Sequence, residues 1–232
     1  MQQRPVSPDA HAADFWLACS AIVVVAILQI FLINHLSLGP RWLAPAAELA
    51  LLIPLAAMFR ARQKRGRSAV AAGRIVDHQW RVIRYLALGL IAVMMVMNFA
   101  ALAELVRALL AGKSETGTTL LIDAVIIWMI NIIVFALWFW GLDGGGPTIR
   151  HAQGKTTFEF LFPQALVDQN EAAPFSPGFV DYLFLAFTNA TAFSPTDTMP
   201  LSQRAKLLMM AQAMISLLTI AFVAARAVNI LA

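Results

Sequence analysis

Long apolar runs separated by short polar breaks set the pattern of this chain. They extend from about Phe15 to Ile33, Leu43 to Phe59, Tyr85 to Leu105, Leu120 to Trp140 and Leu207 to Ile230. Each falls in the range of roughly 17–25 residues that lets a helix cross a bilayer core. Pro45 stands in the first turns of the second run, where a missing donor matters little, whereas Pro54 lies inside it and predicts a kink. A shorter piece, Phe179 to Phe193, carries Asp181, Thr188, Asn189 and Thr191 and is polar at its end. It reads as a re-entrant half-helix, because irregular backbone at membrane depth is tolerated only inside protein or beside water. A thin, tilted sixth span is the alternative. The pattern predicts an all-α polytopic membrane bundle over residues 1–232, with five spans plus a re-entrant half-helix and no soluble domain of useful size.

Composition sharpens this. Of 232 residues 60% are apolar and 13% charged, against roughly 25% charged in soluble domains. The net charge of +4 does not indicate nucleic acid, because the basic residues cluster in one loop between spans. Residues 60–84 hold Arg60, Arg62, Lys64, Arg65, Arg67, Arg74, Arg81 and Arg84 against Asp77 alone. That is a cytoplasmic topology signal, with contact to anionic lipid headgroups as its second use and a regulatory-partner surface as the competing reading. With the amino terminus cytoplasmic, thirteen Lys and Arg lie inside and four outside. The expected location is therefore a bacterial-type inner membrane, multi-pass, amino terminus inside. The first apolar run is followed by Asn34 and His35 instead of a small-residue cleavage site, and reads as a retained span.

Polar residues near or inside the runs have bland first readings. Glu48 reads as a carboxylate near the headgroups, with burial as the alternative. Asp123, close to the start of its run, is expected to snorkel to water. Glu104 and Arg107 are spaced to pair on one helix face, and Trp138 and Trp140 form an aromatic belt. Cys19 is alone, so no disulfide within the chain and no thiolate metal site is expected. Residues 141–178 form a long connector whose Gly144, Gly145, Gly146 and Pro147 read as a turn after a helix end. Its apolar stretch, Phe158 to Pro163, is suited to rest on the bilayer surface or on the bundle.

The last fifth of the chain has a chemical accent. Residues 179–230 combine a short amphipathic helix, a Thr-rich turn, Asp197 followed by Pro200, basic Arg204 and Lys206, and a long last helix. This order resembles the pore-loop and inner-helix module of tetrameric, potassium-type cation channels. The segment beginning Asp181-Tyr182-Leu183 also resembles a family of uncharacterised bacterial integral membrane proteins. Aligned on Asp197 and Pro200, Thr191 and Asp197 match the channel filter. Ser194 and Thr196 replace its two glycines, and Pro195 its aromatic residue. The resemblance therefore implies a degenerate filter lacking the potassium-type carbonyl ladder. It implies a lining of Thr188, Asn189, Thr191, Ser194 and Thr196, with Asp197 at the mouth and Gln212 and Ser216 on the last helix. It also implies a homo-oligomer, a tetramer if pore-like. The residues themselves leave other readings open. Ser194 to Asp197 also suits a turn whose Ser and Asp cap adjacent helices, and Gln212, Ser216 and Thr219 share a face that suits interhelical hydrogen bonding.

Channel-like or transport-related function is thus the leading expectation, and a non-conducting protein acting through partners or lipids the runner-up. An enzyme is not expected: His11, His35, His78 and His151 are scattered, and no metal or hydrolase motif is present, so no cofactor or metal is called for. A reporter fused after Gly66 should read cytoplasmic and one at Ser114 extracytoplasmic; matching signals at both sites would sink the five-span scheme.

Overall fold

The computed structural model describes residues 8–32, 45–50, 52–53, 56–57, 78–110, 117–145, 158–167, 175–191 and 197–231. Its elements are α1 (Pro8–Phe31), α2 (His78–Leu110), α3 (Gly117–Leu142), a 3₁₀ turn (Asp143–Gly145), β1 (Phe160–Leu161), α4 (Gln164–Val167), α5 (Phe179–Thr191), β2 (Met199–Pro200) and α6 (Gln203–Leu231). Residues 45–50, 52–53 and 56–57 are helical as well. Four helices are long and apolar enough to cross a membrane: Ala13–Phe31, Val82–Leu110, Thr118–Leu142 and Gln203–Ala224. They match four of the expected spans. The second expected span is described only in those short helical pieces, and the kink at Pro54 lies outside the described residues. So do residues 60–77, with Arg60, Arg62, Lys64, Arg65 and Arg67. The end of the basic stretch is helical, since α2 begins at His78 and carries Arg81 and Arg84 in its first turns.

Helix α3 is the centre. It packs against α1, α2, α5 and α6, and Ile127, Ile130, Val134, Phe135, Leu137 and Phe139 are buried along it. Its backbone stays helical because hydrocarbon offers no other partner for amide groups. It ends where Gly144 adopts φ 57°, a left-handed conformation that closes helices and suits residues without a β-carbon. α2 runs antiparallel to it: a β-carbon added at Gly141 would meet Leu88 Cδ2 at 3.5 Å and Ile91 Cδ1 at 3.9 Å. Asp123 does not reach water as expected but is buried inside the bundle. Glu104 and Arg107 do pair, in an exposed position where such pairs contribute little.

The connector is held at the carboxyl end of α3 by one residue. Buried Asp143 accepts the Glu159 N–H at 2.5 Å and the Phe160 N–H at 3.3 Å through Oδ1, and the Tyr182 hydroxyl of α5 at 2.5 Å through Oδ2. β1 then pairs antiparallel with β2, Phe160 opposite Pro200 and Leu161 opposite Met199. The connector's aromatic residues rest on the bundle: Phe160 and Phe162 are buried, and both meet the Tyr182 ring edge-on, at 6.3 and 5.2 Å.

α5 starts at the same end. Trp140 meets Phe179 at 5.8 Å and Trp128 meets Phe187 at 6.2 Å, so α5 descends along α3 from its end toward its middle. Its amino terminus is capped from two sides. Gly178 has no side chain to cap with; the Asp181 carboxyl accepts the Gly178 N–H at 2.7 Å, as in a capping box. Asp14 of α1 accepts the Phe179 N–H at 3.2 Å. A β-carbon at Gly178 would lie 2.9 Å from Asp14 Oδ1, which is why glycine stands there. α6 is capped by Ser202, whose hydroxyl oxygen accepts the Ala205 N–H at 3.1 Å and which also donates to the Glu159 carboxylate. Asp197, the residue read as a cap in the sequence, is exposed.

Replacing Tyr182 by Phe keeps the ring packing and removes its hydrogen bond to a buried carboxyl. A cost of about 1.5–3 kcal/mol is expected, read as earlier denaturant unfolding in detergent. An unchanged midpoint would show that Asp143 holds the connector without the hydroxyl.

Candidate functional site

The polar residues of the last two helices converge on one seam between α3, α5 and α6. α5 buries Phe179, Tyr182, Leu185, Ala186 and Ala190, a helical stripe whose two alanines allow close approach to α6. Across that contact, Gln212 of α6 donates to the Ala186 carbonyl at 2.7 Å. Asn189 of α5 donates to the Gln212 side-chain oxygen at 2.8 Å and to the Met209 carbonyl at 2.9 Å. From the other side, Asn131 of α3 donates to Ser216 Oγ at 2.8 Å and to the Gln212 carbonyl at 3.4 Å. Thr219 continues the buried face and donates to the Ile215 carbonyl of its own helix at 2.8 Å.

Asn131, Gln212, Ser216 and Thr219 are all buried. They share a face, as their spacing indicates, and Gln212 and Ser216 use it for interhelical hydrogen bonds. The Gln212 amide is used on both its nitrogen and its oxygen. Asn131 Oδ1 is buried with no hydrogen-bond partner.

The other candidates lie apart from the seam. Thr188 donates to the Phe184 and Leu185 carbonyls at 2.9 and 3.1 Å, and Thr191 to the Thr188 carbonyl at 3.0 Å. Both hydroxyls are therefore engaged with their own helix, a pattern that bends helices more than it offers donors to a ligand. Ser194 and Thr196 lie outside the described residues. The structure thus brings together Asn189, Gln212 and Ser216, adds Asn131, and leaves Thr188, Thr191 and Asp197 elsewhere. Asn131 was visible as a polar residue in the fourth run, but only the three-helix packing shows what it touches.

Outside the seam, Glu48 is not near headgroup water as its first reading had it. It is 0% exposed, and its Oε1 accepts a hydrogen bond from the Gln29 amide of α1 at 2.8 Å. Among the described residues no group of three His, Cys, Asp or Glu is placed to hold a metal ion. The seam offers neutral amides and hydroxyls, which can orient or bind polar groups. Compared with protein-family models, curated proteins and solved structures, the chain matches none.

Because the Gln212 side chain makes two bonds to α5 and the Ser216 hydroxyl receives one from α3, Gln212→Leu is expected to destabilise the bundle more than Ser216→Ala. Interhelical hydrogen bonds in membranes average about 0.6 kcal/mol, and Gln212 takes part in several. A double-mutant cycle of Asn189→Ala with Gln212→Ala should show coupling above about 0.5 kcal/mol. Simple additivity would mean that the two side chains do not meet.

Proposed function

We propose that the chain is a channel-like, transport-related integral membrane protein of five spans plus a re-entrant α5, working as a homo-oligomer, a tetramer if α5 and α6 surround an axis. Its amino terminus and basic loop face the cytoplasm, and the loop contacts anionic lipids. The observation that carries this reading is the return of the chain. α5 leaves the Asp143 end of α3 at Phe179 and reaches the middle of α3 at Phe187. By Met199 the chain is back at the Asp143 end, paired with β1. At 13 residues, α5 is about 20 Å long, short of a hydrocarbon core of about 30 Å. A half-helix that enters and leaves by one face, followed by a full-length helix, is the arrangement of a pore-loop module. The same end also holds Asp14, the start of α2 and the start of α6, in keeping with the thirteen-to-four asymmetry of basic residues.

One observation favours the non-conducting alternative, a membrane protein acting through lipids or partners. The amides of the seam bind one another within a single chain, and the outward residues of α6 are Leu207, Met210, Met214, Leu217 and Leu218. Beside α5, Trp128, Ile132, Val180, Phe184 and Phe187 help line an apolar groove of about 410 Å³, which suits an acyl chain and not an ion.

Two measurements separate these readings. With Cys19 replaced by Ala, cysteines placed at Pro177 and Ser202 should label from the same membrane face; labelling from opposite faces would end the re-entrant reading. Purified protein in liposomes should then pass ions, and Asp197→Asn should lower that flux without altering stability, since Ser202 and not Asp197 caps α6. Absence of flux from an intact oligomer would leave the lipid or partner role.

A further inference from the structure

The pair at Gln29 and Glu48 differs from the seam in its hydrogen-bond accounting. Glu48 is fully buried, and the Gln29 amide donates to its Oε1 at 2.8 Å. The second carboxyl oxygen, Glu48 Oε2, is buried with no partner, and so is the carbonyl oxygen of the same amide, Gln29 Oε1. Two acceptors thus stand without a donor on one hydrogen-bonded pair. An ionised carboxylate so placed would be a buried charge answered by a single neutral donor, an arrangement that proteins avoid.

Among the described residues no charge resolves it. α1 carries no charged residue between Asp14 and its end at Phe31. Among the described residues of the other elements, no charged side chain forms a hydrogen bond or ion pair with Glu48. A divalent metal of the calcium type asks for about six to eight oxygen ligands, and this pair offers two.

We propose that Gln29 and Glu48 form a proton-binding site. Glu48 holds a proton on Oε2 as the carboxylic acid and donates it to the Gln29 carbonyl, while the Gln29 amide donates to the Glu48 carbonyl oxygen. One proton then satisfies both open acceptors and removes the buried charge, and the pair exchanges that proton with water at its end of the bundle. This site is separate from the α5–α6 module and does not depend on the channel-like reading. Buried ionisable residues at membrane depth commonly mark proton or ion paths.

Infrared difference spectroscopy of the full-length protein in lipid, wild type minus Glu48→Gln, tests this at neutral pH. The expected result is a carbonyl band of a protonated carboxyl in the wild type that is lost in the variant and shifts when water is replaced by deuterium oxide. Gln29→Leu should keep the band and move it to higher frequency, because the Glu48 carbonyl loses its donor; it also serves if Glu48→Gln fails to fold. Loss of carboxylate bands in place of the protonated one would overturn the proposal. So would a protonated band unmoved by deuterium oxide, or one indifferent to Gln29→Leu.

Discussion

Asp143 is the constraint on which the carboxyl-terminal half depends. It stands where α3 has just ended and Gly144 turns the chain, so its carboxyl is fixed by the most buried helix of the bundle. Three donors converge on it, two from the connector backbone and one from α5. By holding Phe160, it sets where β1 lies, and β1 sets where β2 returns. By holding Tyr182, it sets where α5 begins. The start of α5 and the start of α6 thus meet at one end of α3, with Asp143 bonded to both the connector and α5.

The arrangement of polarity follows from the solvent. Lipid gives no hydrogen bonds, so amides and hydroxyls turn inward and find one another, and large apolar side chains face out. On α6 this is plain: Gln212, Ser216 and Thr219 are buried while Met210, Met214 and Leu217 are exposed. The driving force between helices in lipid is packing and hydrogen bonding, since lipid tails are as apolar as leucine. Ala186 and Ala190 bring α5 close enough for the Gln212 side chain to reach the Ala186 carbonyl. Small residues and polar residues thus work as one device: the former set the distance, the latter fix the register.

Four of the five expected spans were legible in the sequence because membrane helices announce themselves by length and apolarity. α1, α2, α3 and α6 follow the expected runs, extended at their ends where polar residues continue the helix. The shared face of Gln212, Ser216 and Thr219 was legible for the same reason, since helical periodicity is local. The long-range partners were not. Asp14 caps a helix 165 residues away, and Asn131 meets Ser216 across 85 residues; no spacing rule reaches so far. Asp123 and Glu48 were misread because nearness to the end of a run suggests water, whereas neighbouring helices cover both side chains. Asp197 was one candidate to cap α6, but the β1–β2 pairing places the cap five residues further, at Ser202.

Among the incompletely paired polar groups of the interior, amide oxygens and carboxyl groups differ in cost. Asn131 Oδ1 and Asn98 Oδ1 are single amide oxygens without partners. Since α2 runs antiparallel to α3 with Leu88 and Ile91 beside Gly141, they lie at similar depth in the bundle. An unsatisfied neutral group costs about 1–3 kcal/mol, which a packed core absorbs. An unpaired carboxylate costs several times more in the same surroundings, and no amount of local packing offsets that. The seam can therefore be static with one acceptor unfilled, whereas the pair at Glu48 stays buried only if something binds it. The polar centre of the bundle has the character of an assembly joint, and the acid held by α1 is where the proposed proton answers the open acceptors.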